Sequence, residues 1–237
     1  MSSGLECWLS FKVVLVSRHD HKSARLVVYD LDGVVTKRDT FAALLTTRLR
    51  ASPLRLLRAA PWLVVWAMRR DPERRAAAAR RIAVIGLATM READYAELAS
   101  RLGDRIGADS ACLRLDVVER MREQKRDGAC VVVATATEVR LAEALLRRAG
   151  VPFDLLSASI LAETPEGMHL VDHRVGQRKA EALCEAGVRL SEAEFITDSA
   201  TDLPTARLSG HVTLVGAGGR TRASFAREGI RFEAFGE

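Results

Sequence analysis

The chain has little with which to build a metal–thiolate or disulfide framework. Its four cysteines, Cys7, Cys112, Cys130 and Cys184, are scattered without a Cys-X-X-Cys spacing, and its five histidines are dispersed without ligand spacing. That excludes a zinc module or a disulfide-stapled scaffold and points to a reducing, cytoplasmic setting. His19 and His21 share a polar stretch with Arg18, Asp20 and Lys22 and read as solvated linker. The apolar stretch from Leu5 to Val16 is broken by Glu6 and Lys12, has no basic residue before it, and is too short to span a bilayer. Repeats are absent, and aromatics are 5% of residues with no nucleic-acid-binding motif, so nucleic acid is not an expected partner. With 237 residues, 48% of them hydrophobic, the chain can bury a core for one main domain and an insertion.

What the chain does have is a set of apolar runs that stop at polar groups. Leu26-Val27-Val28-Tyr29 leads into Asp30-Leu31-Asp32-Gly33. A short β-branched run of this kind reads as a buried parallel strand, and ligands bind beyond the carboxyl ends of such strands. Residues i and i+2 point the same way, so Asp30 and Asp32 can share a crevice while Gly33 lets the chain turn. Two adjacent acids repel, which calls for a cation between them or a proton on one. A second run, 129–134, ends in Thr135-Ala136-Thr137. Val175-Gly176-Gln177-Arg178-Lys179 brings a lysine to a helix start, and Phe195-Ile196-Thr197 enters Asp198-Ser199-Ala200-Thr201-Asp202.

Periodicity predicts a strand within 25–39, then helices over 41–49, 54–68, 73–85 and 92–102 with no strand in 40–112. Beyond 113 helices and strands alternate: helix 116–126, strand 129–134, helix 138–148, strand 153–157, a hairpin over 163–173 turning at Thr164-Pro165-Glu166-Gly167, helix 177–185, strand 194–197, helix 203–208 and strand 211–215. Alternation of this kind implies an α/β fold with a doubly wound parallel sheet. The expected organisation is an appendage at 1–24, a core from 25–39 and 113–237, and an inserted all-helical cap at 40–112. The appendage reads equally as an extra strand or a leader.

Charge is unevenly placed. Residues 48–81 hold ten arginines and no lysine against Asp71 and Glu73, a local balance of +8, while the rest of the chain stands at −3. Within that segment lies Pro61-Trp62-Leu63-Val64-Val65-Trp66-Ala67-Met68. The expectation is a cap helix that packs its apolar face inward and solvates its arginines. The alternative is peripheral contact of residues 53–70 with an anionic membrane.

The ordered set of Asp pair, Thr, Lys and Asp-Ser-X-X-Asp, each acid or hydroxyl following a strand, resembles the haloacid dehalogenase-like hydrolases over roughly 25–215. Thr36 to Thr40, the fifteen residues from Thr135 to Gly150, and the approach 113–128 are similar to the phosphoserine phosphatase-like subfamily IB. Two departures stand out. Thr135-Ala136-Thr137 replaces the Ser-Gly-Gly of phosphoserine phosphatases, and Thr197 replaces the usual glycine before the last motif.

The resemblance implies a Rossmann-like core and a Mg²⁺-dependent phosphatase that hydrolyses a small phosphorylated metabolite through an aspartyl-phosphate. It implies Asp30 as nucleophile and Asp32 as general acid and base. Asp30, Asp32 through its backbone carbonyl, and Asp198 would hold the metal. Thr135 and Gly33 would bind the phosphoryl group, and Lys179 would neutralise it. Asp202 would support the metal or orient Lys179, or cap the following helix. Asp39 would contact substrate or cap the first cap helix. Arg178 and Thr137 stand as alternatives to Lys179 and Thr135. Two other functions stay open: a membrane-associated lipid-phosphate phosphatase, and a non-catalytic regulatory module on the same fold.

Overall fold

Strand β2 (Leu26–Tyr29) alternates its side chains between two cores, and the layers follow from that alternation. Val27 and Tyr29 pack with Val131, Val133 and Leu156 against Val117 and Met121 of α5 (Leu115–Arg126) and Ala142, Leu145 and Leu146 of α6 (Val139–Arg148). Val28 packs on the opposite face with Val132, Ala134 and Phe195. That face is covered by Ala180 and Leu183 of α7 (Gln177–Glu185), Ala206 of α8 (Leu203–Leu208) and Phe225 of α9 (Gly219–Arg227). Runs buried on both faces explain why these strands read as continuous apolar segments.

The computed structural model describes residues 14–15, 25–69 and 71–236. The central strands run in the order β4-β3-β2-β6-β7-β8, all neighbours parallel, with β3 Cys130–Glu138, β4 Leu155–Thr164, β6 Ala193–Thr197, β7 His211–Val215 and β8 Glu233–Phe235. The fold is the expected doubly wound α/β sheet. Strand β1 (Val14–Leu15) adds antiparallel to the β4 edge. The rest of the expected appendage, with His19, His21 and Cys7, lies outside the described residues. After β2 the chain winds to β3 and β4 on one side, then returns to β6, β7 and β8 on the other. The crevice between β2 and β6 is therefore the switch point of the sheet, where ligands bind in such folds.

Helices α1 (Thr40–Arg50), α2 (Pro53–Met68), α3 (Pro72–Leu87) and α4 (Glu92–Ala108) fill the insertion. Its entry and exit are stitched together: Lys37 N–H donates to Cys112 O and Arg114 N–H to Val35 O, each at 2.9 Å. The hairpin of β4 with β5 (Gly167–Asp172) runs out from the sheet to meet the insertion, where Thr89 N–H donates to Glu166 O at 2.8 Å. Here β4 is longer than the expected 153–157 strand, since its second half pairs with β5 instead of β3. Helix α9 and strand β8 have no counterpart in the sequence reading.

Helix α4 buries Tyr95, Ala99, Leu102 and Gly103, an i, i+4, i+7, i+8 face, against α6. Tyr95 Oη donates to Glu138 Oε2 at 2.9 Å, and Arg140 pairs with Glu92. Gly103 sits so close that a methyl group there would lie 2.7 Å from Ala144 Cβ and 2.9 Å from Leu141 O. Gly103→Ala should therefore destabilise by about 1–3 kcal/mol, a Tm loss of roughly 2–10 °C. Ser100→Ala, on the exposed side of the same helix, should leave the melting curve unchanged.

Candidate active site

Asp30, Thr135 and Asp198 stand at the carboxyl ends of β2, β3 and β6, three adjacent strands, because Tyr29 is in register with Val133 and with Ile196. Asp30 continues β2 by one step, its N–H donating to Ile196 O at 2.9 Å. Its parity is that of Val28, which points it to the α7 face. There Lys179 Nζ lies 3.1 Å from Asp30 Oδ1 and 2.8 Å from Asp202 Oδ1. Leu31 N–H also donates to Asp30 Oδ1, at 2.8 Å. No hydrogen bond or ion pair falls on Asp30 Oδ2 among the described residues.

Burial sets the electrostatics. Desolvation pushes the Asp30 carboxyl well above its usual range; Lys179 opposes this, while Asp202 and Asp32 add to it. Burial alone would lower Lys179, but the carboxylates of Asp30 and Asp202 outweigh it and hold the ammonium above its ordinary value. Lys179 is 3% exposed and is charged at any working pH. Arg178 is turned away, to Asp172 and Glu185, so the lysine is the residue brought to the crevice.

Asp202 occupies the first position before α8, but its carboxylate makes no cap bond there. It accepts instead from Thr197 Oγ1 at 2.7 Å and pairs with Lys179. The departure at Thr197 thus has a structural use: its buried hydroxyl fixes the acid that fixes the lysine.

Asp32 is held by a different set. Its Oδ1 accepts from Thr40 N–H at 2.8 Å and from Thr36 Oγ1 at 3.3 Å, and its Oδ2 accepts from Thr137 Oγ1 at 2.7 Å. Thr40 Oγ1 lies 2.9 Å from Thr137 Oγ1; since the Thr137 proton goes to Asp32, Thr40 is the donor in that contact. Burial and the charge of Asp39 raise the Asp32 carboxyl, and the Thr137 and Thr40 bonds lower it. Thr137 is thereby committed to Asp32. Thr135, fully buried, accepts from Thr137 N–H at 3.0 Å and keeps its own hydroxyl proton for another acceptor. Asp39 is exposed and caps α1, accepting from Ala42 N–H at 2.8 Å.

Gly33 has φ +82°, a left-handed conformation that β-carbons resist, and a methyl group there would lie 2.0 Å from Asp198 Oδ2. The main chain after Asp32 therefore runs directly against the Asp198 carboxylate. Among the described residues no side chain forms an ion pair with Asp198, and burial together with Asp202 pushes its pKa up to about 6. Arg114 was not expected here. It follows the return from the insertion, its Nε donates to Gly33 O at 2.9 Å, and its charge lowers the Asp198 pKa. The only sequence signal is its place at the start of the approach 113–128 that follows residues 40–112.

Among the described residues no three His, Cys, Asp or Glu side chains gather as a metal cage. The set that the resemblance implies, the Asp30 and Asp198 carboxylates with the Asp32 main-chain carbonyl, leaves the Asp32 side chain to Thr36, Thr40 and Thr137, where it is held. An all-oxygen set beside an unpaired, half-buried acid fits Mg²⁺, which keeps several waters and needs few protein ligands.

The Asp198 shift has a consequence for stability. A carboxyl raised from 3.8 to about 6 favours folding below the unfolded pKa and loses that contribution as pH rises through about 6. In chelator at pH 8, Asp198→Asn should therefore melt higher than the parent chain, by about 2–10 °C for 1–3 kcal/mol. The difference should vanish near pH 4, as differential scanning fluorimetry can check. Equal melting temperatures at pH 8 would mean that the acid carries no strain.

The model of the haloacid dehalogenase-like hydrolase family matches residues 27–207. No curated protein sequence matches the chain. Among solved structures, a protein of unknown function from Bordetella pertussis Tohama I superposes with a TM-score of 0.67 at 18% identity, over 89% of this chain and 99% of the other. A substrate-bound phosphoserine phosphatase superposes at 0.56 with 12% identity, over 86% and 91%. A phosphoserine phosphohydrolase-like protein from Francisella tularensis subsp. tularensis SCHU S4 gives 0.55 at 13% identity, over 86% and 99%. At these identities the likeness concerns the fold. The match to the family model spans most of the chain and takes in all of the acids, hydroxyls and the lysine just described, and the chain belongs to the haloacid dehalogenase-like hydrolases.

Proposed function

We propose that the protein is a Mg²⁺-dependent phosphatase that hydrolyses a small phosphomonoester through an aspartyl-phosphate. The observation that carries this reading is the Asp30 carboxylate, whose Oδ1 is held by Lys179 and the Leu31 N–H while Oδ2 is left free. A carboxylate with one oxygen anchored and one uncommitted is prepared for in-line attack on phosphorus.

Asp30, the Asp32 carbonyl and Asp198 would hold the cation. When bound, Mg²⁺ offsets the repulsion between a phosphate ester and an anionic nucleophile. Lys179 supplies a fixed positive charge at the same place, and Thr135 donates its free hydroxyl proton to a phosphoryl oxygen. Asp32, raised by burial, protonates the leaving alcohol as Asp30 Oδ2 forms its bond to phosphorus. The same carboxylate, now ionised, takes a proton from water, which attacks phosphorus and returns Asp30 as a free acid anion. Thr36, Thr40 and Thr137 keep Asp32 in one place through both steps. The exposed position of Asp39 at the start of α1 supports a role at the mouth of the crevice, where it would meet the alcohol portion of the substrate. The free thiols of Cys112, Cys130 and Cys184 support the cytoplasm as the setting.

Phosphate release from a panel of phosphomonoesters, with and without chelator, tests the reading. Activity should disappear in chelator and return with Mg²⁺. Asp30→Asn should abolish turnover together with any phosphoryl label trapped on the protein, and retention of either would end this assignment.

The two threonines should separate. Thr135→Val should lower kcat by about 10–1000-fold, as loss of one donor to the developing charge does, without moving the pH profile. Thr137→Val removes a bond that lowers the Asp32 pKa, so the limb of the profile in which Asp32 acts as base should move to higher pH. A kcat-against-pH series on both variants reads this directly.

A further inference from the structure

The large apolar side chains left in water among the described residues are concentrated on one helix. On α2, Leu54 is 57% exposed, Leu57 71%, Val64 53% and Met68 76%. With Pro61 they recur at intervals of three and four residues, which places them in one stripe along the helix. The helix already has its inner contact: Ala59 and Leu63 pack with Leu49, Ile82 and Ile85. The expected inward packing is therefore satisfied by a second, smaller face, and the outer stripe is surplus to the fold. A contiguous apolar strip of this kind on a soluble surface marks an interaction site.

The surroundings say what covers it. Arg58 and Arg69 on α2 and its C-cap, and Arg74, Arg80 and Arg81 on α3, are exposed, within a segment of ten arginines and two acids. Trp66 and Trp62 are held beneath Arg75 and Arg81, with guanidinium-to-ring distances of 4.9 and 5.8 Å. We infer that the outer face of α2, with the arginines of α3 beside it, is a docking face for an anionic lipid bilayer, lying in the headgroup layer with its Leu54–Leu57–Val64–Met68 stripe in the acyl boundary. Aliphatic side chains in one row, flanked by arginine and tryptophan, are what an interfacial helix requires. A second copy of this chain fits less well, because pairing two such faces brings arginine against arginine with few acids to answer them. Nucleic acid would match the arginines but leave the stripe in water. The segment lies on the surface and does not cross it, for no described helix is long and apolar enough to span a membrane.

The test needs no substrate, so it stands apart from the phosphatase reading. The full chain is co-sedimented with phosphatidylcholine vesicles, with and without phosphatidylglycerol, and the tryptophan emission is recorded. Binding is expected only with phosphatidylglycerol, with a blue shift, and is expected to weaken in high salt. The variant Leu57→Ser/Val64→Ser/Met68→Ser should bind at least about tenfold more weakly, with its circular dichroism and its melting temperature unchanged. Arg58→Glu/Arg74→Glu, which keeps the stripe, should lose the preference for anionic vesicles. Three results would overturn the inference: no binding to anionic vesicles, binding that the stripe variant retains, or a dimer in solution that the stripe variant turns into a monomer.

Discussion

A buried lysine between two buried acids is the constraint on which the rest of the crevice depends. Lys179, 3% exposed, bridges Asp30 and Asp202, both themselves buried. Asp30 alone at that depth would be driven to take up a proton. One cation shared by two carboxylates still leaves a net negative charge, and Asp198 and Asp32 add to it. Strand ends, a helix start and a loop are each held in register by this arrangement: β2 brings Asp30, α7 brings Lys179 in its first turn, and the turn after β6 brings Asp202. The residual negative charge is what the proposed divalent cation would answer. Burial first, with neighbouring carboxylates adding to it, holds Asp30, Asp32 and Asp198 above their ordinary pKa values.

The hydroxyls do a quieter part of the same work. Thr197 fixes Asp202, and Thr36, Thr40 and Thr137 fix Asp32. Both departures from the phosphoserine phosphatase pattern fall among these groups. In each case a hydroxyl replaces glycine next to an acid and donates to one. The acid is thereby locked by side chains where a glycine could offer only backbone. Among the described residues the two sets share no hydrogen bond, and Asp30–Lys179–Asp202 and Asp32–Thr137–Thr40 are coupled through charge alone, since Asp32 adds to the raised pKa of Asp30.

How far the sequence carried the fold depended on whether a feature was local. Helix α7, helix α8 and strand β7 were legible to the residue, because each is bounded by Gly, Pro or a polar cluster within a few positions. Strand β4 was not, since its second half is a strand only by virtue of β5 opposite it and the contact with the insertion at Ala88 and Gly167. Helix α9 and strand β8 are held by Phe225 and Phe235 packing onto the sheet, a long-range cause with little periodic trace. At the site, residue types at strand ends announced Asp30, Thr135 and Asp198. The contacts of Lys179 with Asp30 and Asp202 were expected from the resemblance, but other partnerships could not be read, because partnership is a matter of distance: Thr137 to Asp32, Thr197 to Asp202, and Arg114 to Gly33 O all join segments or turns whose approach the fold alone decides.

The insertion divides along the same physical line. Its last helix, α4, is fastened to α6 by a close Gly103 approach, by Tyr95 on Glu138 and by Arg140 on Glu92. Its first helix is fastened to the crevice, since Thr40 gives its N–H to Asp32 and its hydroxyl to Thr137. Between these anchors, α2 and α3 hold one another through a small cluster around Ala59 and Ile82. That pair is the part of the insertion with least apolar surface committed to the core and most apolar surface facing out. A surface that has no duty to the sheet is free to be shaped by something outside the molecule. The arginines that collect there, with Trp62 and Trp66 beneath two of them, are the charge and ring content that the proposed contact with an anionic surface calls for.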